Sequence, residues 1–119
     1  MSFLDRLRYR GAPKSPQDAD ALALRHLAAR GADLSKSRHV IHFLYFEAEE
    51  DARAAAESID GVWRATVEPP GEEADAWCVR ADGERVLRRE TVEAFRSWFE
   101  NVAETHRGEY DGWEAAAKP

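Results

Sequence analysis

HVIHFLYF, residues 39–46, is the one stretch apolar enough and rich enough in β-branched and aromatic residues to be the middle of a sheet. In an extended chain alternate side chains face opposite ways, so Ile41, Phe43 and Tyr45 line one face while Val40, Leu44 and Phe46 line the other. Both faces are apolar, and each needs a cover. The periodic segments before and after the strand are the available covers. Phe43 is expected deep in the structure, as is Phe99 on the most apolar helix face.

Upstream, Ser15 is an N-cap, Pro16 suits the first helical position and Asp18 completes a variant capping box. Ala21, Leu24, Leu27 and Ala28 recur at spacings of three and four as an apolar stripe, and Gly31 supplies a left-handed stop. Residues 32–37 then read as a loop.

Downstream, Glu47, Glu49, Glu50 and Asp51 load the first turn of a second helix with the charge its dipole favours. Ala48, Ala52, Ala55 and Ile59 form its buried line, and Asp60-Gly61 ends it. Residues 62–68 alternate as a half-exposed strand, with Trp63, Ala65 and Val67 on one face. Pro69-Pro70-Gly71 breaks it and joins antiparallel neighbours. A third strand is expected over 74–81, a tight turn at Asp82-Gly83 and a short fourth strand over 84–87. A last helix over about 89–107 carries Val92, Phe95, Phe99, Val102, Ala103 and His106 on one stripe and stops at Gly108. The order predicts an α+β fold, a ferredoxin-like α/β sandwich with an antiparallel sheet and an extra N-terminal helix.

The chain of 119 residues fits one domain over 16–119 behind a basic N-terminal segment, 1–15, in which Arg6, Arg8, Arg10 and Lys14 interleave with Phe3, Leu4, Leu7 and Tyr9. That segment reads either as a terminus tucked against the body or as an amphipathic turn that touches a partner. With Cys78 the only cysteine, no intrachain disulfide is possible and the compartment is expected to be reducing. No run is long and apolar enough to span a membrane, and the N-terminus lacks a signal-peptide core, so a cytoplasmic location is expected.

The net charge of −6 is unevenly spread: residues 1–37 carry +3 and residues 38–119 carry −9. Such a body repels free nucleic acid, whose binding needs clustered Lys and Arg, and attracts a basic protein segment. Acidity also serves solubility. The four histidines form no metal-ligating spacing, and Cys78 has no motif that lowers a thiol pKa. Phosphate loops, dinucleotide glycines and a nucleophile elbow are all missing from the sequence. No catalytic, cofactor or metal residues are therefore nominated.

Most carboxylates belong to solvated helix faces, but GEYDGWE, residues 108–114, does not. Tyr110 and Trp113 flank a glycine after the last helix has ended, so the segment must pack back or bind something. Folded back, it would bury Trp113 with its indole N–H on an acceptor and leave Asp111 and Glu114 near the surface.

GEYDGWE, preceded by a helix closing in AETHRG, resembles the closing signature of the regulator of ribonuclease activity B (RraB) family. RGADLSKSRHVIHFLYF, the following EAEEDARAAA helix and Trp77 agree in order, so the resemblance spans 18–114. It implies a ferredoxin-like fold and a cytoplasmic, non-enzymatic protein that binds ribonuclease E and inhibits RNA cleavage. The basic first 15 residues lie outside the pattern, and the acidic loops are shorter than those of better-known members.

The reading is a protein-binding regulator whose partner is a ribonuclease E-like endoribonuclease or another protein with a basic segment. Glu47, Glu49, Glu50, Tyr110, Asp111, Trp113 and Glu114 are its candidate contacts. The alternative is a small-molecule sensor or an enzyme with a sheet-edge pocket. Direct RNA binding is not expected, since clustered cations and an aromatic RNA-binding strand motif are lacking.

Overall fold

The computed structural model describes residues 16–72 and 75–116. They form α1 (Pro16–Ala29), β1 (Arg38–Phe46), α2 (Glu49–Ile59), β2 (Arg64–Glu68), β3 (Trp77–Arg85), α3 (Arg89–Thr105) and β4 (Glu109–Ala115). The expected Ser15 cap and the basic segment 1–15 lie outside the described residues.

HVIHFLYF is the strand it was expected to be, and it is central. The sheet runs β2-β3-β1-β4, with β1 antiparallel to both β3 and β4 and β2 antiparallel to β3. The connectivity β1-α2-β2-β3-α3-β4 follows the split β-α-β plan, consistent with a ferredoxin-like α+β sandwich to which α1 is the added helix.

Val40, Leu44 and Phe46 of β1 share one core with Ala23 and Leu27 of α1, Ala52, Ala55 and Ile59 of α2, and Val92, Phe99 and Val102 of α3. All three helices therefore lie on one face of the sheet. This corrects the expectation of covers from the helical segments on both faces: α2 and α3 return to the same side because both crossovers take the same hand, and α1 packs on α3. Phe43 and Phe99 are both buried, as expected, at 2% and 0% exposure, but Phe43 belongs to the opposite face and stands outside that core cluster.

Local chemistry sets the boundaries. Gly31, at φ 85, ends α1 with Gly31 N–H on the Ala28 carbonyl and Ala32 N–H on that of Leu27, the paired bonds of a Schellman cap. The buried stripe of α1 is Asp20, Ala23 and Leu27, while Ala28, expected on it, is exposed. In α2 the line Ala52, Ala55, Ala56 and Ile59 is buried, and small side chains let the helix approach the sheet closely.

Asp82-Gly83 is not a turn. β3 runs unbroken through it, pairing Ile41 with Asp82 and Val40 with Gly83, so the short fourth strand expected over 84–87 merges into β3. Two contacts hold the dipeptide in the ladder. Asp82 accepts from Arg64 of β2 at 2.8 Å and meets His39 of β1 at 3.0 Å, and Gly83 leaves room for Trp63, whose ring a Cβ would approach to 3.1 Å.

The stop of α3 also differs from expectation. The left-handed residue is Arg107, at φ 63, with Gly108 N–H bonded to the Ala103 carbonyl at 2.7 Å. Gly108 is required for space instead: a Cβ there would lie 2.4 Å from the Phe46 ring and 2.6 Å from the Tyr45 carbonyl. This close approach brings the chain beside β1, where the tail becomes a strand and not merely a docked segment. Val40 pairs with Ala115, His42 with Trp113 and Leu44 with Tyr110.

Candidate functional site

One residue of β1 separates His42 from Leu44, yet two of β4 separate Trp113 from Tyr110. The extra residue is a bulge, and Gly112 takes its positive φ of 97. Strict alternation would have put Tyr110 and Trp113 on opposite faces; the bulge turns both toward the helices.

There they join a buried polar network. Trp113, 6% exposed, donates its indole N–H to Asp20 Oδ1 at 2.9 Å, which supplies the acceptor that its burial demanded. Arg96 of α3 clamps the same carboxylate with two hydrogen bonds of 2.9 Å, and its guanidinium lies 5.2 Å from the centre of the Tyr110 ring. The Tyr110 hydroxyl bonds His42 Nδ1 at 2.7 Å. Asp20 and His42 are both buried, so α1, α3, β4 and β1 are tied by one set of charge-assisted and neutral bonds.

His42 sits in an aromatic box. Its ring stacks on Phe99 at 4.0 Å and meets Trp63 edge-on at 4.6 Å and Phe95 at 5.7 Å. Burial, then the charges of Arg96 and Arg85, push its pKa well below the ordinary value, so the ring is neutral. Its Nε2 has no hydrogen-bond partner, and with no exposure the ring has no route to an external substrate. The His42–Tyr110 pair is thus a structural contact. Among the described residues no group of three His, Cys, Asp or Glu side chains is arranged to hold a metal, and no helix is long and apolar enough to cross a membrane.

The sequence-nominated residues separate into two sets. Asp111 and Trp113 are buried, so Asp111 is not the surface acid it was expected to be, and Tyr110 and Glu114 are half-buried. Glu47, Glu49 and Glu50 are exposed. The topology gives them company that the sequence reading did not nominate. At the end of the sheet where β1 leaves at Phe46, β2 ends at Glu68, the loop to β3 carries Glu72 and Asp75, and β4 begins at Glu109, the register partner of Tyr45. Glu47, Glu49, Glu50, Glu68, Glu72, Asp75 and Glu109 are all exposed there. Arg53 is engaged by Glu49 at 2.8 Å, and Arg107 is the exposed cation beside them in the chain. Glu114 lies toward the other end, opposite Ile41.

The opposite end of the sheet holds a solvent-open groove of about 440 Å³, lined by Asp60, Gly61, Val62, Trp63, Arg64, Asp82, Gly83 and Glu84. Its floor is already committed internally: Arg64 binds Asp82, and Arg85 stacks 4.0 Å over Trp63 while donating to the Val62 carbonyl. It has neither the depth nor the spare converging groups of a ligand pocket.

Compared with known families, the chain matches the model described as Regulator of ribonuclease activity B over residues 17–115, from the first turn of α1 to the last residue of β4. No curated protein matches it.

Proposed function

This chain belongs to the regulator of ribonuclease activity B (RraB) family, and from that premise we propose that residues 16–119 are a single non-enzymatic domain, acting in the cytoplasm, that binds a ribonuclease E-like endoribonuclease and slows its cleavage of RNA. The observation that carries the reading is the convergence of exposed carboxylates, Glu47, Glu49 and Glu50 with Glu68 and Glu109, at one end of the sandwich. Such a surface attracts an arginine-rich segment and repels RNA itself, so it favours contact with the enzyme over contact with the substrate.

The half-buried Tyr110 and the buried Asp111 and Trp113 serve this surface indirectly, by fixing β4 and thereby the position of Glu109. The experiment is an RNA-cleavage assay with the cognate ribonuclease. Purified protein slows cleavage without cleaving RNA itself, and the triple variant Glu47→Gln, Glu49→Gln, Glu50→Gln loses about tenfold in inhibitory potency, the sum of three contacts near 0.5 kcal/mol each. Full potency in the triple variant rejects the acidic end as the contact, and turnover of RNA by the protein alone rejects the non-enzymatic reading.

A further inference from the structure

The bulge divides β4 into two halves. Glu109 and Tyr110 pair with Tyr45 and Leu44, Trp113 to Ala115 pair with His42 to Val40, and the register shifts across Asp111 and Gly112 between them. The second half is tied to α1 by the bond from Trp113 to Asp20. The first half follows Arg107, whose φ of 63 is a left-handed conformation that residues with a side chain seldom adopt. It ends at Gly112, whose φ of 97 marks a joint where the backbone turns without steric cost. From this half Tyr110 reaches toward the helices, with its hydroxyl on His42 and its ring stacked 5.6 Å from that of Phe99.

His42, beneath Tyr110, is placed where a charge cannot be accommodated. It feels the cation of Arg96 from α3 and that of Arg85 from β3; β4 offers it the Tyr110 hydroxyl, and the turn after α2 offers the uncharged Trp63 ring. Asp20 of α1 is committed to Arg96 and Trp113. An imidazolium has two N–H donors, yet inside this box Nε2 has no acceptor. A proton on His42 therefore requires water. Of the rings around it Trp63 and Phe99 are buried, whereas Phe95 and Tyr110 are half-buried. Phe95 is fixed within α3, but Tyr110 stands on a half-strand at the edge of the sheet.

We propose that residues 108–112 are a proton-gated flap: when His42 takes up a proton, the first half of β4 swings away from the sheet edge between Arg107 and Gly112 and admits water to the ring, while Trp113 to Ala115 stay paired. The flap carries Glu109 with it, so acid conditions displace one carboxylate of the exposed acidic end. The device is a property of this chain alone and stands independently of the ribonuclease reading. Closed, His42 resists protonation; open, it titrates near the ordinary 6.5. The open fraction therefore rises about tenfold for each pH unit below about 6, until the pKa of the closed form is reached.

Amide hydrogen exchange of the full-length protein, followed residue by residue by NMR at pH 7, 6 and 5 and divided by the chemical exchange rate at each pH, reads the open fraction. Residues 109–111 are expected to lose protection about tenfold between pH 6 and pH 5, with little dependence on added urea, while Val79 and Ala81 in the interior of β3 exchange more slowly and with the urea dependence of global unfolding. In His42→Gln, which keeps a polar group for Tyr110 but takes up no proton, protection at 109–111 is expected to change less than about twofold over the same range. The wild-type profile is decisive even where the variant does not fold. Protection at 109–111 that is constant with pH, or that falls only together with β3 and with the same urea dependence, overturns the flap. An equal fall in folded His42→Gln overturns His42 as its trigger.

Discussion

His42 makes stability depend on acidity in a calculable direction. Its folded pKa lies below the ordinary value of 6.5 because burial opposes the charge, so the unfolded chain binds a proton more readily than the folded one. The stability this provides is complete above about pH 6.5 and is lost as pH falls from there toward the folded pKa. The urea midpoint of the wild type is therefore expected to drop between pH 7 and 5, and that of a His42→Phe variant to drop less. A parallel pair of curves rules out His42 as the source. Asp20 poses the complementary case. Asp20→Ala leaves Arg96, only 13% exposed at its side chain, without its carboxylate, and a loss of about 3–5 kcal/mol is expected from chemical denaturation. Of this network only one part was legible beforehand: a buried Trp113 needs an acceptor. That the acceptor is an acid on the buried stripe of α1, 93 residues away, is set by tertiary packing: helical phase puts position 20 beside Leu24 and Leu27, but a carboxylate is buried there only because Arg96 and Trp113 meet it.

β4 shows why an element can escape a sequence reading. EYDGWEA has a glycine at its centre, acids at three of seven positions and no β-branched residue, so propensity argues against a strand. Pairing with β1 overrides it, and the bulge at Gly112 accommodates the mismatch. The Asp82-Gly83 dipeptide fails in the other direction: its turn preference yields to the ladder on both sides of β3 and to cross-strand partners. Conversely α2, α3 and β1 were readable because their apolar periodicity coincides with their burial. Two outcomes are expected at this scale. Truncation after Gly108 removes an entire neighbour of the central strand, so the shortened protein is expected to lose cooperative unfolding by circular dichroism, not merely to lose a docking tail. Gly108→Ala, whose new Cβ meets both the buried Phe46 ring and the Tyr45 carbonyl, is expected to cost about 1–3 kcal/mol, measurable as a lowered thermal midpoint. An unchanged midpoint means that the helix-to-strand turn can shift to accommodate a methyl group.

For the molecule as a whole, the layering of helices on one sheet face follows from sequence order and crossover hand, but the gathering of acids does not. Glu47, Glu68 and Glu109 are up to 62 positions apart in sequence and meet only because three strands leave or enter the sheet at the same end. Electrostatic association through such a patch acts mainly on the rate of encounter. Raising ionic strength from low to physiological is accordingly expected to slow association with the proposed ribonuclease partner while leaving dissociation nearly constant, as measured by stopped-flow or surface binding. A salt-insensitive association rate points to an apolar contact.

The bond between Trp113 and Asp20 spans 93 residues, and the strand that provides it is synthesised after the six other elements described above. During translation β1 is therefore produced long before its neighbour β4 exists, and Asp20 and Arg96 wait for the indole that completes their cluster. The sheet can be completed only after residues 109–115 have left the ribosome. Long-range closure of this kind lowers the folding rate, and the nascent chain carries an incompletely paired, aromatic-rich HVIHFLYF strand until β4 emerges to pair with it.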